Sequence, residues 1–291
     1  MDSRGEIAEL CAIAAPEIGV VLNVGLTHVS KLGSIEAIRE EKLSLARALP
    51  PNGTAILNAD DPRVASEAPR LRCRVITFGQ SESADLRISG VVDHGLEGVT
   101  FRLRCGSEDV EVRSSIPGAH TIAAPASAVA VAMALGMSLR EAAAAASAVE
   151  SSGRMRIIET ADGIRIIDDR YNSSPASLAG ALQMLASAGG GRRIALLGRM
   201  AELGPFEEQE HRRAGAIAAA SCDVLAAVGE PCRALVDAAR KAGLADARWF
   251  ATKEAAAEYV RRLLLPGDTV LVKASRSQAF ETILPLLEAA P

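Results

Sequence analysis

From Ile164 onward, short apolar strands and helices alternate without interruption, and this alternation constrains the fold more than any other feature of the chain. "IRIIDD", "RRIALLG", "DVLAAVG", "ARWFA" and "DTVLVKAS" read as strands. Helical segments follow each of them, beginning with one from Ala176 and one through "EEQEHRRAGAIAAA". Five strands thus alternate with five helices. Each strand, helix, strand unit with parallel strands closes in the right-handed sense, so the segment is expected to form an open, doubly wound, Rossmann-like α/β sheet. Ligands of such sheets sit beyond the carboxyl ends of the strands. Four polar clusters occupy those ends: "DDRYNSSP" (168–175), "GRMAELG" (198–204), "GEPC" (229–232) and "KASRS" (273–277).

The first half is also α/β. "GVVLNVG" reads as a β-branched strand, "SIEAIREEKLSLARALP" as a helix capped by Ser34, and "GTAILNADDP" and "CRVITFG" as further strands. Between Asp85 and Ser115 the texture changes to "LRISGVV", "GVTFRLRC" and "EDVEVRSS", the alternating pattern of an antiparallel meander that would form a small insertion or flank. Two helices follow, "TIAAPASAVAVAMALG" and "SLREAAAAASAVE", with Gly136 as a stop and Ser138 as a cap. The "ESSGR" stretch is the expected boundary, giving domains 1–151 and 152–291.

Composition removes several function classes. A net charge of −4 with scattered positive residues argues against a nucleic-acid partner. No apolar run reaches membrane-spanning length, and "MDSRGEIAEL" lacks the order of a signal peptide, so a cytoplasmic location is expected. Five cysteines without a CxxC pair argue against a disulfide framework or a zinc site.

Individual residues leave alternatives open. His28 follows a strand and could coordinate a divalent cation, or could simply be an exposed loop residue. Lys42 lies mid-helix beside Glu40 and Glu41, where a solvated face of ion pairs is the plain alternative. Asp168 and Asp169 end a buried strand and need a cation, donors or water; they could hold a ribose diol or a metal, or make an Asx turn before a helix opened by Ser174 and Pro175. Lys273, Ser275 and Arg276 at the last strand end combine cations, a hydroxyl and a following helix, which suits an anion, although a Ser cap flanked by solvated charges would look the same.

Taken together, "GEIAEL", "NVGLTH", "SIEAIREEK", "GTAILNADDP", "PGAH", "DDRYNSSP", "ELG" with a later His211, and "VLVKASRS" resemble the Mur ligases in order and spacing, from about Arg4 to the C-terminus. "DDRYN", "ELG" and "VLVKASRS" are similar to the branch that adds D-alanyl-D-alanine to UDP-N-acetylmuramoyl-tripeptide. The resemblance implies an ATP-dependent ligase that forms an acyl phosphate, attacked by an amine to give an amide. It implies part of a central ATP-binding domain followed by a complete Rossmann-like third domain. His28 and a carbamylated Lys42 would hold Mg2+, Arg154 would meet the phosphates, and Asn58, His120 and Asp168 or Asp169 would contact the nucleotide. Asn172, Lys273, Ser275 and Arg276 would face the incoming dipeptide, with ribose and acceptor contacts separate.

Thr121 and Ala124 stand where Asn residues are usual, Ser174 replaces Asn, Arg199 replaces Asp and Ala274 replaces Gly. No G-x-x-x-x-G-K-[ST] string occurs, so the loop whose amides and lysine would cradle the β- and γ-phosphates is expected upstream of Met1, with strands of the first sheet. The sheet edge so exposed implies self-association or a missing N-terminal part. A non-catalytic relative acting as a binding or partner-interaction module is the alternative. The isolated chain is expected to be inactive. Incubated with ATP, magnesium, UDP-muramoyl-tripeptide and D-alanyl-D-alanine, it should release no phosphate above background; measurable release would overturn this.

Overall fold

The computed structural model describes residues 1–149 and 154–288. It divides into two compact units, the second taking in the short segments Gly95–Glu97 and Ile116–Gly118 from earlier in the chain. The boundary expected at "ESSGR" lies outside the described residues, apart from Arg154.

In the first unit, α1 (Glu6–Ala14), β1 (Ile18–Val21), a single turn α2 (Val29–Leu32) and α3 (Ile35–Arg47) lead to β2 (Thr54–Asn58), the short α4 (Pro62–Ala65) and β3 (Arg74–Gly79). Then come β4 (Leu86–Asp93), β5 (Val99–Cys105), β6 (Glu108–Ser114), α5 (Ala123–Ala134) and α6 (Leu139–Ser147). The sheet order is β1-β2-β3-β4-β5-β6. Strands β1 to β4 pair in parallel, and β4, β5 and β6 pair antiparallel. The meander is therefore a continuation of the parallel sheet rather than a separate insertion, because Phe78 and Gly79 of β3 pair with Leu86 and Arg87 of β4.

Strand β2 is buried on both faces. Ala55 and Leu57 pack with Ile38, Leu43 and Ala46 of α3, while Ile56 packs with Ala126, Val129 and Ala130 of α5. Burying both faces is what makes "AIL" an unbroken apolar run. The meander alternates instead, with Val99, Phe101 and Leu103 of β5 turned into the core. Ser34 and Ser138 cap α3 and α6 as the sequence suggests, the latter in a capping box with Glu141. The helix α1 was not evident from sequence; its N-terminus is fixed from α3, where the buried Glu41 accepts the Gly5 and Ile7 amides at 2.6 and 2.7 Å. Strand β1 lies at one sheet edge, and Leu10, Ile13 and Leu22 of this unit are exposed.

In the second unit, β7 (Arg156–Glu159), β8 (Arg165–Asp168), α7 (Pro175–Ser187), β9 (Arg193–Gly198), α8 (Glu207–Ser221) and β10 (Val224–Val228) are followed by α9 (Cys232–Lys241), β11 (Asp246–Phe250), α10 (Lys253–Leu263), β12 (Thr269–Lys273) and α11 (Leu284–Glu288). The order is β11-β10-β9-β12-β8-β7. The five expected strands are parallel. A sixth, β7, adds antiparallel to β8, an edge pairing that no strand-helix alternation announces. The last strand is followed by two 3-10 turns, Arg276–Gln278 and Phe280–Thr282, before the short α11, in place of the single helix expected. One face of the sheet packs Ile166, Ile194, Val270 and Val272 against Ala256, Ala257 and Val260 of α10 and Leu284 and Leu287 of α11. Helices α7, α8 and α9 pack side by side and belong to the other face, as right-handed crossovers require.

The first unit contains a buried charge that its packing depends on. Glu67 is 2% exposed and accepts bonds from Arg47 Nε at 2.6 Å and Arg39 Nη2 at 3.0 Å, joining α3 to the segment after α4. The Arg47 hydrogen bond holds its carboxyl below the ordinary 4.5, against the opposing effect of burial. A depressed carboxyl stabilises the fold above its unfolded value, and that contribution is lost as pH falls through the lowered folded value. Glu67→Gln should therefore cost about 2–4 kcal/mol at neutral pH, with the difference from wild type shrinking in acid below 4.5. Urea denaturation followed by circular dichroism across that range tests this; a difference independent of pH would refute it.

Candidate functional site

Strand β12 lies between β8 and β9, although both precede it in the chain. The connection leaving β8 passes to the α7 face and the one leaving β12 to the α10 face, so a crevice opens at the carboxyl end of β12. Lys273, Asp169 and the "DDRYNSSP" loop meet there. Lys273 is 1% exposed; its Nζ donates to Asp169 Oδ2 at 2.5 Å and to the Asn172 carbonyl at 2.9 Å. Burial pushes the amine's pKa down, and the Asp169 carboxylate opposes that shift. The Asp169 amide bonds the Val272 carbonyl, which registers the loop on β12.

Lys273 and Asp169, expected to serve separate acceptor and ribose contacts, are joined in one buried pair. Ser275 also turns inward, its Oγ donating to the Ser173 carbonyl at 3.4 Å and accepting the Ala201 amide at 2.8 Å. Of the trio at this strand end, only Arg276 is exposed. Asp168 is buried and accepts Arg170 Nε at 3.1 Å; its carboxyl is raised, chiefly by burial, with Arg170 pulling the other way. Asn172 supplies its carbonyl to Lys273 and its side-chain oxygen to the Ser173 amide. Ser174 caps α7 with Ser177 in a capping box, which gives the residue standing in place of Asn a structural role.

The neighbouring "GRMAELG" loop is held from below by His211. This side chain is fully buried, its Nδ1 bonded to the Glu207 carbonyl at 2.7 Å and its Nε2 accepting the Met200 amide at 3.1 Å. The Met200 amide can only donate, so Nε2 is unprotonated and Nδ1 carries the proton. Burial lowers the imidazole pKa, consistent with that neutral form. Arg199 pairs with Glu207 at 2.5 Å, so the charge it introduces is answered within the loop.

Two residues went unremarked in the sequence. Gln278 reaches across the sheet edge to accept the Arg199 amide at 2.5 Å, and a Cβ at Gly198 would collide with that Gln278 oxygen. Tyr171 is 48% exposed and carries two guanidiniums, Arg154 at 4.3 Å and Arg276 at 5.8 Å from the ring centroid. No local spacing reveals either residue, since their partners lie far along the chain.

In the first unit the polar groups gather beyond β1, β2 and β3. Asp61 accepts the Val24 amide at 2.7 Å and caps α4 through the Arg63 amide. Asp60 accepts the Gln80 and Ser81 amides, and Asn58 accepts the Asp60 amide at 2.9 Å. Lys42 departs from a solvated ion-paired face: its Nζ donates to the Asn23 carbonyl at 2.8 Å, and burial lowers its pKa while Asp61 acts to raise it. His28, at φ 73°, precedes α2, and His120 lies in the 3-10 turn Ala119–Thr121. As an ammonium Lys42 would repel a divalent cation, whereas a carbamate at that position would offer two anionic oxygens of the kind magnesium takes.

Two family models match in order along the chain, the Mur ligase middle domain over residues 1–132 and the Mur ligase glutamate ligase domain over residues 153–276. The chain belongs to the Mur ligase family. Within it, the chain is 36% identical over 98% of its length to the UDP-N-acetylmuramoyl-tripeptide–D-alanyl-D-alanine ligase of Mycobacterium tuberculosis, and 31% identical over 98% to that of Escherichia coli. A crystal structure of MurF from Acinetobacter baumannii superposes with a TM-score of 0.88 at 27% identity, covering 99% of this chain and 63% of that one. MurF from Thermotoga maritima, solved in complex with ADP, gives 0.83 at 25% identity over 99% of this chain and 65% of that one. The chain spans 61% of the Mycobacterium tuberculosis relative and 63% of the Escherichia coli one.

The buried pair yields a quantitative expectation. Lys273→Ala or Asp169→Ala alone leaves one charge buried without its partner and should cost about 3–5 kcal/mol. The double variant should cost less than the sum of the two by about 2 kcal/mol. A denaturation cycle on the four proteins measures this, and additive losses would mean that the two side chains act independently.

Proposed function

We propose that this chain carries the larger part of an ATP-dependent amide ligase that joins D-alanyl-D-alanine to UDP-N-acetylmuramoyl-tripeptide through an acyl phosphate, in the cytoplasm, for peptidoglycan synthesis. The observation that carries this reading is 36% identity, across both units, to a ligase bearing that name. The division of labour follows residues 1–151 as the ATP-binding part and 152–291 as the ligase part.

His28 and Lys42 would hold Mg2+, with Lys42 carbamylated; bound magnesium would offset the repulsion between phosphate and carboxylate. Burial lowers the amine pKa and so raises the share of the neutral amine, the form that reacts with carbon dioxide, above that of an ordinary lysine. Asn58 and His120 are assigned to the nucleotide. Asp168 or Asp169 is assigned to the ribose, the first paired with Arg170 and the second with Lys273. Arg154 meets the phosphates, and Arg276 and Asn172 face the dipeptide. Lys273 and Ser275 serve by shaping the loop rather than by meeting the ligand, since their polar atoms point inward. The β1 edge and the exposed Leu22 support self-association or pairing with a further segment.

Calorimetry on the full chain tests the assignment. D-alanyl-D-alanine should bind and L-alanyl-L-alanine should not, and Arg276→Ala should weaken binding by about 1.5–3 kcal/mol, the range for a charged hydrogen bond. With 13C-labelled bicarbonate, a carbamate resonance should appear and vanish in Lys42→Arg. Absence of dipeptide binding would favour a non-catalytic relative.

A further inference from the structure

The turn that carries Arg276 is held through its backbone and its neighbours rather than through the arginine itself. The exposed Arg276 side chain lies 4.0 Å from the Glu281 carboxylate and 5.8 Å from the centroid of the Tyr171 ring, distances that set its direction only loosely. Both ends of the turn, in contrast, are tied. At the near end the Ser275 amide donates to the Arg199 carbonyl at 3.2 Å, and Ser275 Oγ accepts the Ala201 amide at 2.8 Å. At the far end Gln278 Oε1 accepts the Arg199 amide at 2.5 Å. Lys253, the first residue of α10, then reaches the same place: its Nζ donates to the Gln278 carbonyl at 3.1 Å and to the Ala279 carbonyl at 2.7 Å, the latter shared with Thr282.

Two features show what holds the far end. A cation in the first turn of a helix opposes the helix dipole, and Thr252 already caps α10 through the Ala255 amide, so the Lys253 charge does nothing for its own helix. Its two carbonyl acceptors are what the position gains. Ala279 has φ 48°, a left-handed backbone that a residue with a side chain keeps only where its surroundings fix it. Gly198 gives the clearance, since a Cβ there would press on Gln278 Oε1, Ala274 and Phe280.

We propose that Lys253 and Gln278 are positioning residues that clasp the Arg276 turn to the loop after β9 and so direct Arg276 at its ligand. The inference rests on the ligase reading, in which Arg276 faces the dipeptide, and deepens it by naming two residues that act through Arg276.

The experiment uses the full chain. Gln278→Leu removes the acceptor of the Arg199 amide, Gln278→Glu keeps an acceptor there, and Lys253→Met removes both donated bonds. Without ligand, NMR follows hydrogen exchange at the Arg199 amide and 15N relaxation at the Arg276 amide. Exchange should quicken roughly three- to tenfold in Gln278→Leu and Lys253→Met, the scale of one hydrogen bond, with Arg276 more mobile, and Gln278→Glu should behave like wild type. Calorimetry with D-alanyl-D-alanine then reads the consequence. Arg276→Ala should weaken binding roughly tenfold or more in the wild-type and Gln278→Glu backgrounds. In the Gln278→Leu and Lys253→Met backgrounds it should matter less than about twofold, because a released Arg276 has little left to lose. Thermal unfolding of each variant is the control: a clasp that serves stability alone would lower Tm and leave the Arg276→Ala effect intact, and that result overturns the proposal. Unchanged Arg199 exchange and Arg276 mobility in Gln278→Leu overturn it as well. A wild type that does not bind the dipeptide refutes the ligase reading instead, and the clasp is then judged on the ligand-free signals, supported by the contrast between Gln278→Leu and Gln278→Glu and overturned where the two behave alike.

Discussion

A lysine and an aspartate buried together at the carboxyl end of β12 set the form of the second unit's crevice. Taking two charges out of water costs several kcal/mol each, and only close contact with additional hydrogen bonds recovers it. Lys273 meets that demand with Asp169 and the Asn172 carbonyl, and the Asp169 amide adds a bond to Val272. The loop after β8 is thereby fastened to the strand beside it. Tyr171, Asn172 and Ser173 inherit their positions from this fastening.

The same principle governs the loop after β9. Arg199 would be a disruptive charge at a strand end if it stood alone, but Glu207 on the following helix neutralises it, and Gln278 takes its backbone amide. His211 supports the loop from within and must stay neutral to accept the Met200 amide. Ala274, fully buried between these elements, shows that the site tolerates a methyl group where Gly is usual in the family. Three of the departures from the family pattern, Ser174, Arg199 and Ala274, are thus accommodated by packing and pairing.

In the first unit, short acidic side chains play the part that the ion pair plays in the second. Asp60 and Asp61 end the β2 segment and bind backbone amides from the loops after β3 and β1. Three strand ends are tied by two adjacent carboxylates. Lys42 reaches the Asn23 carbonyl in the loop after β1 from helix α3, and it is this partly desolvated position, rather than its place among glutamates, that distinguishes it from a surface lysine.

The sequence by itself determined the α/β class, the parallel strands of the second unit, the meander and the serine caps, because these follow from local periodicity and from side chains bonding backbone three residues away. It also marked Asp168, Asp169, Lys273 and Arg276 as strand-end residues, since polar residues ending apolar strands are visible without a partner. Tertiary structure alone decided how they combine. The Lys273–Asp169 pair spans 104 residues and the two guanidiniums on Tyr171 span 122, and no spacing rule encodes contacts between strands whose order in the sheet differs from their order in the chain. Likewise β7 gained strand structure only by pairing with β8, and α1 gained a fixed start only from Glu41, both through partners that local pattern does not identify.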